Sequence, residues 1–298
     1  MVEPVNEFRG TRLTGLADVK DTLAGKDAVI ACSGPSFRNY EDALIPSHVL
    51  RVAINETIRF FAELGRPPDY WVFSDQPIVE EYHQYHHGHT KLLVMHEATQ
   101  TFRRYLPDAD AHTVNSMAEV RDFDNPYQFY SRGTVLIGAI EMLRYMGIDR
   151  VFVFGCDFYR TEEAYYFDGD KQPRFTTETR LLDEERIYAS DIPENIRLYS
   201  TPNLQKMTRK MRQVEAAGLW KDIDSYCVAS PWSQQSALEK VSLDEAVRIM
   251  SGSEKSSRPR VSPGEHPDAA TAARKNALPR GMAFLLRCGR KILQLLRR

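Results

Sequence analysis

No stretch of the 298-residue sequence approaches the roughly 20 consecutive apolar residues that a membrane-spanning helix needs. The first ten residues, MVEPVNEFRG, include acids and lack an apolar core, so no signal peptide is expected there. Cysteine is scarce: Cys32, Cys156, Cys227 and Cys288 lie far apart and without metal-ligand spacing. This predicts reduced thiols in a cytosolic protein and excludes a disulfide framework. Internal repeats are absent. So are the G-K-[ST] of a Walker loop and the GxGxxG of a dinucleotide fingerprint.

Net charge is small, −2, but charge is unevenly placed. Residues 251–298 hold 11 Lys/Arg against 3 Asp/Glu, while residues 1–250 hold 28 against 38. An acidic body with a basic tail excludes a nucleic-acid-binding domain. It predicts an enzyme body with a separate electrostatic contact.

What is present is a series of short apolar runs. Asp27 to Cys32, Val49 to Ile54, Asp69 to Ser74, Lys91 to Met95, Arg150 to Gly155, Asn195 to Tyr199 and Ile223 to Val228 read as strands. Helical spacing marks Asn55 to Leu64, Thr134 to Met146 and Asn203 to Ala217. In Arg150 to Gly155 nearly every position is apolar, as in strands covered on both faces. The alternation predicts an α/β fold with a doubly wound, mostly parallel sheet.

Composition divides the chain into a body over 1–250, a linker over 251–279 rich in Ser, Pro, Ala and charge, and a last segment over 280–298. At about 100° per residue, Met282, Phe284, Leu285, Leu286, Cys288, Ile292, Leu293, Leu295 and Leu296 share one arc. Arg287, Arg290, Lys291, Arg297 and Arg298 share the opposite arc, and no acid follows Asp268. The pattern predicts an amphipathic helix on an anionic membrane surface. Docking of the same helix on the acidic body or on a partner is the alternative.

Parallel α/β sheets bind ligands at the carboxyl ends of their strands, and three candidate sites fall there. Ser33-Gly34-Pro35-Ser36 follows the first strand. Its glycine lets backbone N–H groups approach a phosphate or ribose, and its hydroxyls add donors. A plain strand-to-helix turn would look the same. Asn55 and Glu56 follow the second strand, and Asp75 and Gln76 the third. These residues suit a sugar or base edge, while Asn55 and Asp75 would equally serve as helix caps. Gly155-Cys156-Asp157-Phe158-Tyr159 precedes Tyr165-Tyr166-Phe167-Asp168. Here Asp157 can hold ribose hydroxyls and the tyrosines can donate to a leaving phosphate. An aromatic loop packed on the domain is the alternative. The run EEYHQYHHGHT gathers His83, His86, His87 and His89, adjacent histidines that diverge in a polar loop and read as a solvated or acceptor-facing segment.

Together and in order, these landmarks resemble the family 42 bacterial sialyltransferases. They also resemble the Kdo transferases of lipopolysaccharide cores, the Maf-type flagellin glycosyltransferases and the archaeal pterin diphosphokinase-like domain. The resemblance runs from Ala28 to Asp168, and its strongest stretch is Arg132-Gly-Thr134, a helix, then Gly147 to Tyr159, Tyr165 and Phe167-Asp168. It implies a GT-A-like, Rossmann-type nucleotide domain and an inverting, metal-independent transfer from a CMP-sugar, with no cofactor beyond that co-substrate. Tyr159 and Tyr165 match the tyrosines that stabilise the departing CMP phosphate. The Ser33-Gly34-Pro35-Ser36 turn, Asn55, Thr134, Gly155 and Asp157 match nucleotide contacts. Asp75 or Gln76 falls near a contact to the donor's carboxylate, and Arg132 on an arginine near the donor. Two departures stand out. The family's histidine base lies downstream of the tyrosines, yet the only histidine after Asp168 is His266. Val135 replaces a small residue at the helix entry.

The resulting expectation is a glycosyltransferase moving an ulosonic sugar (Kdo, sialic acid or a relative) onto a bacterial surface glycan or lipopolysaccharide acceptor. A carboxylate from Asp75, Asp168, Glu178 or Asp183 would replace the histidine base. The expected partners are a CMP-sugar, a glycan or glycolipid and the anionic inner-membrane surface, with the protein cytoplasmic and peripheral. The alternatives are a superfamily diphosphokinase and a non-catalytic sugar-nucleotide-binding protein.

Overall fold

The computed structural model describes residues 13–14, 16–95, 99–116, 128–129, 134–161, 185–187, 191–192, 194–216, 220, 223–235 and 237–252. All of them belong to one compact unit, Met1–Ser257. Tyr165, Arg132, Asp168, Glu178, Asp183, the linker beyond Gly252 and the 280–298 segment lie outside the described residues.

The main sheet contains β1 (Leu13–Thr14), β2 (Asp27–Ala31), β3 (Leu50–Ile54), β4 (Tyr70–Phe73), β5 (Lys91–Met95), β6 (Ala111–Ser116), β7 (Gln128–Phe129), β8 (Arg150–Phe154), β12 (Asp224–Val228) and β13 (Glu239–Val241). Its order is β1-β6-β5-β4-β3-β2-β8-β12-β13, with β7 beside β6, and every pairing is parallel. A second, antiparallel sheet joins β9 (Arg160–Thr161), β10 (Glu185–Ile187) and β11 (Leu198–Ser200) in the order β10-β11-β9. The described helices are α1 (Thr57–Glu63), α2 (Gln76–Tyr82), α3 (Thr99–Tyr105), α4 (Val135–Tyr145), α5 (Pro202–Ala216) and α6 (Leu243–Met250). The expected doubly wound parallel sheet is therefore observed.

The apolar runs form a sheet because alternate side chains serve two different cores. On one face Ala28, Ile30, Val52, Val72, Val151 and Val153 meet Leu136, Ile140 and Leu143 of α4 and Met211 and Val214 of α5. On the other, Val29, Ala31, Trp71, Phe73, Phe152 and Phe154 meet Ile58 and Phe61 of α1, Val79 of α2, Phe102 of α3 and Ile249 of α6. Burying one side chain such as Phe152 stabilises by about 1.5–3 kcal/mol. An exposed pair such as Arg59–Glu63, at 3.4 Å, adds about 1 kcal/mol at most. The two cores, not surface charge, hold the fold.

Two buried charges are matched to partners. Glu141 lies buried within α4, where its Oε1 accepts from Trp220 Nε1 at 2.9 Å. At the amino end of the sheet Arg150 grips Asp27 with two hydrogen bonds, at 2.8 and 2.6 Å, and its Nη1 donates to the Ile249 carbonyl at the end of α6. A strand pair and a helix terminus are thereby joined.

Chain order positions the site. From β2 the strands β3, β4, β5 and β6 are added outward on one side. The chain then returns to lay β8 against the other side of β2, with β12 and β13 beyond. The winding direction reverses between β2 and β8. The crevice outside their carboxyl ends is the place where such sheets bind ligands.

Candidate functional site at the strand switch point

The floor of this crevice is main chain. Gly34 N–H donates to the Gly155 carbonyl at 3.0 Å, one step beyond the ladder bond from Cys32 N–H to Phe154 O at 2.9 Å. Neither glycine has room for a side chain. A Cβ on Gly34 would strike the Gly155 carbonyl and lie 2.6 Å from Asp157 Oδ2. A Cβ on Gly155, whose φ is +68°, would strike the Cys32 carbonyl and lie 3.0 Å from Phe37 Cβ. Pro35 then opens a short helical turn, Pro35–Asn39, whose Phe37 packs into the second core.

Asp157 ties three loops together. Its side chain is buried. Oδ2 accepts from the Ser36 backbone N–H at 2.7 Å, and Oδ1 accepts the Ser230 hydroxyl from the loop after β12. Its carbonyl accepts from Gln234 N–H at 3.0 Å. Burial raises its pKa above the ordinary carboxylate value, and the hydrogen bonds from Ser230 and Ser36 work against that rise. The hydrogen bonds to the Asp157 carboxylate thus come from the protein itself, the Tyr159 phenol included. Tyr159, also buried, belongs to the same cluster, since the Asp157 carboxylate and the Ser230 hydroxyl both act on its phenol. Burial, reinforced by the Asp157 charge, pushes the phenol well above its usual range. Tyr159 therefore keeps its proton at neutral pH, and its hydroxyl already hydrogen-bonds the Asp157 carboxylate.

The other expected residues distribute as follows. Ser33, Gly34, Pro35 and Ser36 leave β2, and Gly155, Asp157 and Tyr159 leave β8, so the structure brings these seven together. Asn55, half-buried, leaves β3 in the left-handed conformation at φ +52°. It does not cap α1, where Glu56 occupies the capping position without a side-chain bond. Asn55 Oδ1 is buried with no hydrogen-bond partner among the described residues, while its carbonyl accepts from Trp71 Nε1 at 2.8 Å. Thr134 stands at the head of α4 without a capping bond from its side chain. Asp75 and Gln76, two strands from the switch point, are exposed. Asp75 precedes α2 without a capping bond, and Gln76 Nε2 donates to Glu80 at 2.7 Å along the helix.

Several site residues escaped the sequence reading. Thr57 hydroxyl accepts from Ile54 N–H at 2.9 Å and donates within reach of the Ala31 carbonyl at 3.0 Å, linking the exits of β3 and β2. Ser230 and Ser233 are buried in the loop after β12, Ser233 donating to the Cys156 carbonyl. Ser230 follows a buried strand, the placement that singled out Asn55, and so carried the same signal. Phe158 at φ +55° and Ala229 at φ +54° are left-handed without being glycine or asparagine, and nothing in the sequence announces them. Cys32, Cys156 and Cys227, remote in sequence, sit under the crevice as free thiols, with Cys227 Sγ 3.9 Å from the Cys156 carbonyl.

Away from the crevice, the histidine loop is occupied locally. His86 Nε2 bonds the Thr90 carbonyl at 2.8 Å, and the His83 ring lies 4.8 Å from that of Tyr105. Burial lowers the His86 pKa. Among the described residues, no group of three or more His, Cys, Asp and Glu side chains is placed to hold a metal ion. Nor is any described helix long and apolar enough to cross a membrane.

No protein-family model matches the chain, and no curated protein does. Among solved structures it is similar to the Maf glycosyltransferase of Magnetospirillum magneticum AMB-1, at 13% identity over 78% of this chain and 37% of that one, with a TM-score of 0.47. This chain thus spans little more than a third of that protein. It is also similar to the sialyltransferase CstII of Campylobacter jejuni, solved with cytidine-5'-monophosphate, at 17% identity over 70% of this chain and 82% of that one, TM-score 0.38. The monofunctional α-2,3-sialyltransferase Cst-I of the same organism matches at 13% identity over 68% and 75%, TM-score 0.39.

Proposed function

We propose that this chain is a glycosyltransferase that moves an acidic ulosonic sugar, Kdo or sialic acid or a relative, from a CMP donor to a bacterial surface glycan or lipopolysaccharide acceptor. The observation that carries the reading is the switch-point crevice. Its floor is the Gly34–Gly155 main-chain contact, and its rim holds Ser33, Ser36, Asn55 and the protonated phenol of Tyr159. A floor without side chains lets a nucleotide approach the backbone closely.

In this mechanism the acceptor hydroxyl attacks the anomeric carbon and inverts it. The bond from that carbon to the CMP phosphate oxygen breaks, and the electron pair leaves with the phosphate. Tyr159 and Tyr165 donate hydrogen bonds to the charge that develops there. The acceptor's proton passes to a carboxylate drawn from Asp75, Asp168, Glu178 or Asp183. The basic segment at 280–298 would hold the body at an anionic membrane surface, where a glycolipid acceptor resides.

Thermal-shift measurements with CMP, CDP, UDP, GDP and ATP test the nucleotide, and a response to CMP alone is expected. Turnover of CMP-Kdo or CMP-sialic acid tests the chemistry. Replacing Tyr159 and Tyr165 together by Phe should lower kcat, because their charge partner exists in the transition state. Magnesium-dependent diphosphoryl transfer would instead identify a diphosphokinase. CMP binding without turnover of any CMP-sugar would identify a binding protein. Deleting residues 281–298 should release the protein from anionic liposomes in flotation.

A further inference from the structure

The small antiparallel sheet has two unlike faces. Arg160 of β9 lies opposite Tyr199 of β11, and Tyr199 lies opposite Arg186 of β10. Residues directly opposite one another share a face, and adjacent strands lie about 5 Å apart. An arginine, a tyrosine and an arginine therefore stand in one row. The Arg160 guanidinium carbon is 4.8 Å from the centre of the Tyr199 ring, within cation–π range. The next register position carries Thr161, Leu198 and Ile187 on the other face, and Leu198 is buried. The arginine row is thus the outer face, where Arg186 is exposed and Arg160 and Tyr199 are half-buried. Arg197, two residues ahead of Tyr199, is exposed as well. Two links tie this sheet to the crevice. β9 begins directly after Tyr159. Trp232, in the loop after β12, donates its Nε1–H to the Asp191 carbonyl at 3.1 Å, ahead of β11.

We propose that this row is the subsite for an anionic sugar of the acceptor, one bearing a phosphate or carboxylate group. The proposal rests on the glycosyltransferase reading above. Planar guanidinium forks match the oxygens of phosphate and carboxylate groups two at a time. Arg160 Nη1 already donates to the Thr161 carbonyl at 2.9 Å, but a guanidinium has five donors, so an arginine held in this way can still bind an anion. Its contact with Tyr199 fixes the fork in advance, and a group fixed in advance loses less freedom on binding. The charge pattern points the same way. Residues 1–250 hold more acids than bases, 38 against 28, yet three arginines gather around this one tyrosine. Like charges repel across a sheet, and an anion between Arg160 and Arg186 relieves that repulsion. Because the row starts one residue after Tyr159, it flanks the reacting centre and leaves the Gly34–Gly155 floor to the nucleotide.

The test is an NMR titration of the CMP-saturated protein with glucose 6-phosphate, glucuronate and glucose, with thermal unfolding measured for each variant. Saturating CMP keeps the added anions out of the nucleotide crevice. At least one of the two anionic sugars should bind about 10-fold more tightly than glucose, and which one does so names the anion. Arg186→Gln should weaken that anionic sugar about 10-fold while changing CMP affinity less than about 2-fold. Arg160→Lys keeps the charge but loses the fork and the stacked plane, and should weaken it about 5-fold. If Arg160→Lys does not fold, the exposed Arg186→Lys makes the same comparison. Equal binding of all three sugars, or unchanged binding in Arg186→Gln, would overturn the proposal. Weaker binding of CMP-sialic acid in Arg186→Gln, with CMP binding kept, would assign the row to the donor's carboxylate and overturn the acceptor assignment. Each of these results leaves the glycosyltransferase reading standing, whereas absence of a CMP response in the unaltered protein would overturn that reading and this subsite with it.

Discussion

The N–H of Gly34 meets the carbonyl of Gly155 at 3.0 Å, so the turns leaving β2 and β8 are joined main chain to main chain where the sheet reverses its winding. The contact lets Ser36 N–H reach Asp157, and it leaves the floor without side chains.

Alanine at either glycine should therefore be severe. Gly155→Ala adds a left-handed alanine to a collision with the Cys32 carbonyl, and about 2–4 kcal/mol of stability should be lost. Gly65 is the control. It is also left-handed, at φ +65°, but a Cβ there meets nothing within 4 Å, so Gly65→Ala should cost only about 1–2 kcal/mol. Urea unfolding of the two variants separates the close approach from the backbone conformation. Equal losses would show that the approach is not tight.

Asp157 supplies a pH-dependent prediction. Burial raises its pKa in the folded protein, so the folded state holds that proton more tightly than the unfolded chain. Its charge is then a liability at neutral pH, and the liability disappears as pH falls through the raised pKa. Asp157→Asn can keep both bonds, its oxygen accepting from Ser36 N–H and its amide donating to the Ser230 oxygen. The variant should match or exceed the melting temperature of the unaltered protein at neutral pH, and its advantage should shrink on acidification. Asp157→Ala leaves the buried Ser36 N–H without a partner and should cost about 1–3 kcal/mol. An Asn advantage that grows on acidification would reverse the sign assigned to Asp157.

Much of this arrangement is legible in the sequence. The apolar runs behind β2, β3, β4, β5, β8 and β12 need cover on both faces, and the polar residues just after them mark the crevice. Less visible are elements whose side chains are polar by alternation, such as Ala111–Ser116 in β6. α6 had a readable start in Ser242 and Glu245, where the serine hydroxyl accepts the glutamate's N–H at 3.2 Å. The meeting of Ser230 with Asp157 was hidden for a different reason. It depends on β12 pairing with β8, which brings together two residues 73 apart in sequence, a tertiary event without local signal. That pairing, with the pairing of β2 and β8, gathers three cysteines that sequence spacing keeps apart.

At the opposite end of the sheet, Asp27 and Arg150 anchor β2 to β8. Their side chains are 6% and 15% exposed, so salt screens the pair poorly. Asp27→Ala should cost about 2–3 kcal/mol, and the loss should persist when ionic strength is raised. Recovery of stability in high salt would mean that the pair behaves as an ordinary surface bridge.

Asn55 offers the clearest separation of binding from folding. Its left-handed backbone suits glycine, and its buried Oδ1 has no partner among the described residues. A side chain kept under both conditions is one that stability alone would not select. Asn55→Gly removes the orphaned acceptor and relieves the backbone, while the carbonyl that receives Trp71 Nε1 at 2.8 Å remains. Glycine's greater unfolded-state freedom offsets part of this, so stability should stay level or rise by about 1 kcal/mol. The CMP thermal shift should weaken sharply. A variant that is less stable but binds CMP as before would assign Asn55 to the fold and remove it from the nucleotide site.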